Sequence, residues 1–253
     1  MSKVLLDLKH VDVTVNQGTV DENKILKDVD LRINEGDFIC LVGGNGAGKS
    51  TLLNTLAGEL TPSSGELDYK GKNINKSGEE ERSKFIGRVF QDPKIGTAPR
   101  MTVAENLLLA LKRGEKRHLL PRKLKNNREK FAQALKQVNP ELVDKMNSFV
   151  DQLSGGQRQA LSFVMATIKR PELLLLDEHT AALDPRSSRN LLEATNNKIK
   201  ADKITAIMIT HRMEDAIKYG NRLIIMDHGQ ILHDYNSEEK AKLTQADLIE
   251  YFD

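Results

Sequence analysis

The residues best suited to chemistry form one run, Gly43-Gly44-Asn45-Gly46-Ala47-Gly48-Lys49-Ser50-Thr51. Gly43, four residues, then Gly48-Lys49-Ser50 is the spacing of a phosphate-binding loop, the P-loop. Glycine tolerates positive φ and lets the backbone close in on a ligand. Successive N–H groups from Gly44 to Ser50 can then line one concave nest that suits phosphate oxygens. The helix starting there adds a positive dipole end, worth about 0.3–1 kcal/mol to an exposed anion. Lys49 would reach the β- and γ-phosphates, and the Ser50 hydroxyl would hold Mg²⁺. A bare glycine turn has no use for both side chains, so a nucleoside triphosphate is the expected ligand.

Strands and helices must position this loop. Ile39-Cys40-Leu41-Val42 precedes it as a short apolar strand. Leu52, Leu53 and Leu56 follow on one side of a helix that Gly58 stops. Asp28 to Ile33 alternates polar with apolar, as a half-buried antiparallel strand does. Glu66 to Lys70 alternates again, so the first 75 residues predict a small antiparallel sheet beside the loop strand. Phe85 to Phe90 reads as a strand ended by Gln91-Asp92-Pro93, and residues 100–170 read as helical. Thr102-Val103-Ala104-Glu105 is a capping box, and Phe131, Leu135 and Val138 fall at helical spacing. Ser154-Gly155-Gly156-Gln157 opens the next helix, where Ser154 and Gln157 fit a second capping box. Leu173 to Leu176 is a continuous apolar run ending in Asp177-Glu178, the pattern of a parallel strand covered on both faces. Ile204 to Thr210 is a further strand leading to His211, and residues 223–226 and 231–233 can pair around Asp227-His228-Gly229-Gln230. Thr244 caps a last short helix. Strands alternating with helices predict an α/β sheet.

Composition narrows the class. The chain has 253 residues, 39% hydrophobic and 29% charged, with net charge +2. That balance makes no case for nucleic acid, although residues 112–130 concentrate nine Lys or Arg against two Glu. Part of that stretch, around Pro121, is expected to be a loop. The single cysteine, Cys40, excludes an internal disulfide and reads as a buried filler in its strand. The histidines at 10, 118, 179, 211, 228 and 233 are scattered and show no zinc spacing. No apolar run approaches the ~18 residues of a membrane span. Asp7, Lys9 and His10 interrupt any signal-peptide core.

Leu153-Ser154-Gly155-Gly156-Gln157 and Leu173-Leu174-Leu175-Leu176-Asp177-Glu178 follow Gly43–Ser50 in that order. With these three motifs the chain resembles, nearly end to end, the nucleotide-binding subunit of an ATP-binding cassette (ABC) transporter. The resemblance implies a P-loop NTPase core with a mostly parallel sheet, an N-terminal antiparallel β subdomain and an inserted α-helical subdomain. It implies one domain over 1–253: a core from about 1–90 and 171–235, a helical part over about 95–165, and a tail over 236–253. ATP and Mg²⁺ would be the cofactors. Ser50, Gln91 and Asp177 would hold the metal. Glu178 resembles the general base, Gln91 the Q-loop glutamine and His211 the switch histidine. Ala181-Ala182-Leu183-Asp184 resembles the D-loop, which passes between subunits. Ser154, Gly155, Gly156 and Gln157 would face the ATP held by the P-loop of a second copy, so two chains would sandwich two ATP.

The pattern departs at two places. The family usually sets an aromatic ring on adenine, yet residues 1–37 contain no Phe, Tyr or Trp. Val15 near that position would offer apolar contact alone. His179 stands where the family often has Pro, and is expected to cap a turn, or else to tune Glu178. The implied partners are a second copy, two integral membrane permease subunits and, indirectly, an extracytoplasmic substrate-binding protein. The implied location is the cytoplasmic face of the cell membrane, where residues 112–130 would meet lipid or simply be solvated. Gly96 to Asn106 with Asp177-Glu178-His179-Thr180 is similar to cassettes paired with tryptophan-type binding lipoproteins, which suggests import of an amino-acid-like solute. The alternative is a soluble ABC ATPase of iron–sulfur assembly, repair or translation. Against it stand Gln157 in place of Glu, no long heptads and no second cassette. An intact Glu178 and His211 count against a regulator without turnover.

Overall fold

The computed structural model describes residues 3–115, 124–249 and 251. In chain order the elements are β1 (Val4–Val15), β2 (Asn23–Asn34), β3 (Phe38–Gly43), α1 (Lys49–Ala57), β4 (Ser64–Tyr69), β5 (Lys72–Asn73) and α2 (Glu79–Arg82). Next come β6 (Ile86–Val89), α3 (Val103–Leu111), α4 (Arg128–Val138), α5 (Glu141–Asp144), α6 (Gly155–Thr167), β7 (Leu173–Asp177) and α7 (Pro185–Asp202). The chain ends with β8 (Thr205–Ile209), α8 (Met213–Lys218), β9 (Arg222–Asp227), β10 (Gln230–Tyr235), α9 (Ser237–Lys240) and α10 (Gln245–Ile249). Of the basic stretch, residues 116–123 with His118 and Pro121 lie outside the described residues, and 124–127 form a single 3₁₀ turn before α4.

Two compact units divide the chain. The first, residues 1–82 with 204–253, holds an antiparallel sheet ordered β2-β1-β4-β5. In β2 the apolar members Val29, Leu31 and Ile33 are buried while Asp28, Asp30 and Arg32 are exposed, as the alternation predicts. The same unit places β3 between β8 and β9, parallel to both, and β9 turns back as the antiparallel hairpin β9–β10. Every residue of β3 is buried, which explains its unbroken apolar sequence. Cys40 donates through Sγ to Tyr219 O at 2.9 Å, and burial pushes its thiol up to about 11. It is therefore a filler and not a nucleophile.

Helix α1 ends on Gly58 at φ 88°. Arg82, 1% exposed, donates to Thr55 O at 2.6 Å, Leu56 O at 3.0 Å and Ile74 O at 2.6 Å. A buried cation thus satisfies carbonyls that a helix C-terminus leaves open. It also closes the far end of the helix that begins at the P-loop.

The second unit, residues 83–203, pairs β6 with β7 in parallel and packs α3 to α7 around Leu107, Phe131, Leu135, Leu142, Leu161 and Phe163, all fully buried. Both expected capping boxes form. Thr102 Oγ1 accepts from Glu105 N at 3.2 Å at the start of α3. Ser154 Oγ accepts from Gln157 N at 3.2 Å at the start of α6. Thr244 Oγ1 likewise accepts from Asp247 N at 3.4 Å at the start of α10.

Candidate nucleotide site

In the first unit β3 runs straight into the loop. Gly46 and Gly48 take φ of 79° and 96°, a left-handed backbone that only glycine adopts without strain. Side chains at Gly44 or Gly46 would point into open space, with no atom within 4 Å of an added Cβ. The loop is braced from behind. Gly229 N, in the β9–β10 turn, donates to Ala47 O at 3.1 Å, and Leu52 N donates to Gly48 O at 2.8 Å. Lys49, 6% exposed, folds over its own loop and donates to Gly43 O and Gly44 O, each at 2.8 Å. A cation is thus already lodged at a concave run of backbone with open space before it, which fits a polyphosphate. Asn45 and Ser50 are exposed and Thr51 is half-buried. Ile209 of β8 is in register with Leu41 of β3, so His211, exposed just past β8, emerges at the same sheet end as the loop. Open parallel sheets bind ligands at that end. Val15, half-buried, closes β1 opposite Asn23.

In the second unit β6 and β7 deliver a cluster of three. Asp177 ends β7, Glu178 follows it, and Gln91 lies just past β6. Gln91 Nε2 donates to Glu178 Oε2 at 2.9 Å. Glu178 sits at φ 43°, a left-handed conformation that costs a non-glycine residue about 1–2 kcal/mol. Such local strain concentrates at functional sites. Arg88 of β6, which the sequence reading passed over, brings Nη2 to 3.6 Å from Asp177 Oδ2. The hydroxyl of Ser50, the amide of Gln91 and the carboxylate of Asp177 are hard oxygen donors, the set that Mg²⁺ prefers.

The turn-capping role expected of His179 is corrected. The left-handed residue before it breaks the strand's alternation, and His179 is buried, 2% exposed, with Nε2 3.4 Å from Thr195 Oγ1 of α7. Burial pushes its pKa down to about 4, so the ring is neutral at physiological pH. Asp184 caps α7, accepting from Arg186 N and Ser187 N at 3.0 Å each, and the Ser187 hydroxyl, together with these backbone bonds, holds its carboxyl below the ordinary range. The signature turn is held by its own neighbours. Lys145 Nζ donates to Gln157 Oε1 at 2.9 Å, and Gln157 Nε2 donates to Glu141 Oε2 at 3.0 Å. Gly155 is exposed, with nothing within 4 Å of an added Cβ. One unit therefore gathers the P-loop and His211, and the other gathers Gln91, Asp177 and Glu178.

A parallel α/β sheet feeding such a loop defines a P-loop nucleoside-triphosphate-binding protein. The family model for the ABC transporter matches residues 26–181, and the chain belongs to that family as an ATP-binding subunit. It is 37% identical over 249 residues to a tyrosine transport ATP-binding protein of Clostridioides difficile, a match spanning 98% of this chain and 99% of that one. It is 33% identical over 256 residues to the methionine import ATP-binding protein MetN of Lactobacillus delbrueckii subsp. bulgaricus, covering 98% of this chain and 70% of that one. Among solved structures, it resembles the ATP-binding cassette MJ0796 in a dimeric post-hydrolysis state bound to ADP and phosphate. That match has a TM-score of 0.78 and 28% identity over 92% of this chain and 99% of that one. The chain is an ATPase of the ABC class. Among the described residues, no helix is long and apolar enough to cross a membrane.

Proposed function

We propose that two copies of this chain close head to tail around two ATP and so drive import of an amino-acid-like solute through two separate permease subunits. An extracytoplasmic binding protein delivers the solute, and the ATPase works at the cytoplasmic face of the membrane. The observation that carries this reading is the nearly full-length likeness to a tyrosine transport ATP-binding protein. The dimeric state of the structurally similar cassette supports the pairing.

In this reading the backbone of Gly43 to Ser50 and Thr51 cradles the triphosphate, with Lys49 moving from its loop carbonyls to the β- and γ-phosphates. Val15 gives apolar contact to the base. Mg²⁺ held by Ser50, Gln91 and Asp177 would neutralise phosphate charge as it develops in the transition state. Glu178 orients the attacking water and takes its proton while the bond from γ-phosphorus to the bridging oxygen breaks. ADP and inorganic phosphate result. A base so placed contributes about 10²–10⁴-fold. Gln91, bonded to Glu178 at 2.9 Å, fixes where the base can point. His211 contacts the γ-phosphate. The start of α6, Ser154 to Gln157, of which Ser154 and Gly155 are exposed, meets the ATP of the other copy with its N–H groups, and Asp184 lies in the segment that passes between copies.

The test is affinity capture of the tagged chain from its native membrane in mild detergent. Co-purifying integral subunits are expected, and the associated binding protein would reveal the solute. Capture of iron–sulfur scaffold proteins, ribosomes or DNA without any integral protein would overturn transport in favour of the soluble alternative.

A further inference from the structure

We infer that Arg88 is a resident counter-ion of Asp177, with which an arriving divalent cation must compete, and that it thereby raises the metal threshold of the site. The inference rests on the reading of Asp177 as a metal holder. Arg88 is in register with Leu175 across the β6–β7 pair. Asp177 is two residues further along β7, so it projects from the same face as Leu175. The long arginine spans that offset and brings Nη2 to 3.6 Å from Asp177 Oδ2. Both side chains are nearly covered, 11% and 13% exposed, so water screens the pair weakly. The guanidinium also lies over the Phe90 ring, 4.6 Å from its centroid. Stacking fixes the plane of the cation, which a lysine could not match.

This placement has a chemical consequence. Asp177 and Glu178 are adjacent acids at one strand end, and the expected ligand adds phosphate charge. A covered carboxylate without a counter-charge is costly. Arg88 supplies that charge when no metal is bound, and it also weakens the pull of Asp177 on any arriving cation. Arg88 is therefore a positioning residue: it acts through Asp177.

The experiment measures Mn²⁺ binding to the intact chain by electron paramagnetic resonance without nucleotide, and thermal unfolding with and without Mg²⁺. Arg88→Met is expected to bind Mn²⁺ about tenfold more tightly than wild type, ~1.4 kcal/mol. Its melting point should fall in metal-free buffer and recover with Mg²⁺, whereas the wild type should respond little. Arg88→Gln also removes the charge and should tighten Mn²⁺ binding at least about threefold, which preserves the test if Arg88→Met does not fold, whereas Arg88→Lys keeps the charge without the stacked plane and should fall between wild type and Arg88→Met. Asp177→Asn should abolish the binding and erase the difference between Arg88 and Met. Binding by Arg88→Met equal to wild type, with Asp177→Asn still abolishing it, would overturn the inference about Arg88 alone. Undiminished binding by Asp177→Asn would instead remove Asp177 as a metal holder, and the inference with it.

Discussion

Glu178→Gln separates chemistry from structure most cleanly. The substitution keeps side-chain length and shape. The new amide can still accept from Gln91 Nε2, now 2.9 Å from the carboxylate, through its carbonyl oxygen. What changes is a charge-assisted bond for a neutral one, worth about 1.5–3 against about 0.5–1.5 kcal/mol, so roughly 1 kcal/mol of stability is at stake. The left-handed backbone at φ 43° is the same in both proteins and adds nothing to the difference. One kcal/mol lowers the melting point of a chain this long by about 2–4 °C. Loss of the base, by contrast, removes about 10²–10⁴-fold in rate, or ~3–5 kcal/mol on the barrier. Single-turnover phosphate release, with thermal unfolding of the same samples, reads both quantities. Hydrolysis should fall at least a hundredfold while the melting point moves by a few degrees, ATP binding persists and a dimer accumulates with ATP. Hydrolysis within tenfold of wild type would refute the assignment of Glu178. A collapse in melting point would refute the separation argued from the Gln91 contact.

Three further outcomes follow from the geometry. Lys49→Ala removes the cation that bridges Gly43 O and Gly44 O, and nucleotide affinity should drop about 100-fold, ~2.7 kcal/mol, in a fluorescent-nucleotide titration; wild-type affinity would contradict the cradle. Ser154→Ala leaves the α6 cap unmade and should cost about 1 kcal/mol, read as a lower urea midpoint at constant slope, with hydrolysis reduced beyond what that stability loss explains. Asp12 is held at about 2 by Lys24 at 2.8 Å, Asp28 N at 2.8 Å and Ser64 Oγ at 2.7 Å. Its folded value lies below the ordinary 3.8, so its stabilisation is present above that pH and fades as pH falls toward 2. Asp12→Asn should therefore cost about 1 kcal/mol at pH 7, allowing for partial solvent screening, and almost nothing near pH 2; equal costs at both would exclude the linkage.

The capping boxes at Thr102 and Ser154 were legible in the sequence because their physics is local: one side chain satisfies an N–H three residues away. The P-loop was legible for the same reason, and β3 and β7 because strands covered on both faces need unbroken apolar runs. Contacts between distant residues left no such trace. Arg88 meets Asp177 across 89 positions, and nothing near Arg88 in the chain announces the acid. His179 reads as a turn cap because it stands where the family often has Pro. The burial of His179 beside Thr195 is visible only in three dimensions. The base contact proposed for Val15 has no aromatic ring in residues 1–37 to mark it.

The central claim is that each ATP is cleaved between two copies, the P-loop coming from one and Ser154 to Gln157 from the other. The direct measurement is specific ATPase activity across a dilution series, with sedimentation velocity run on the same samples in ATP. Activity per chain should rise with concentration in step with the dimer fraction and vanish where sedimentation finds monomer alone. Constant activity per chain in a purely monomeric sample would contradict the shared site.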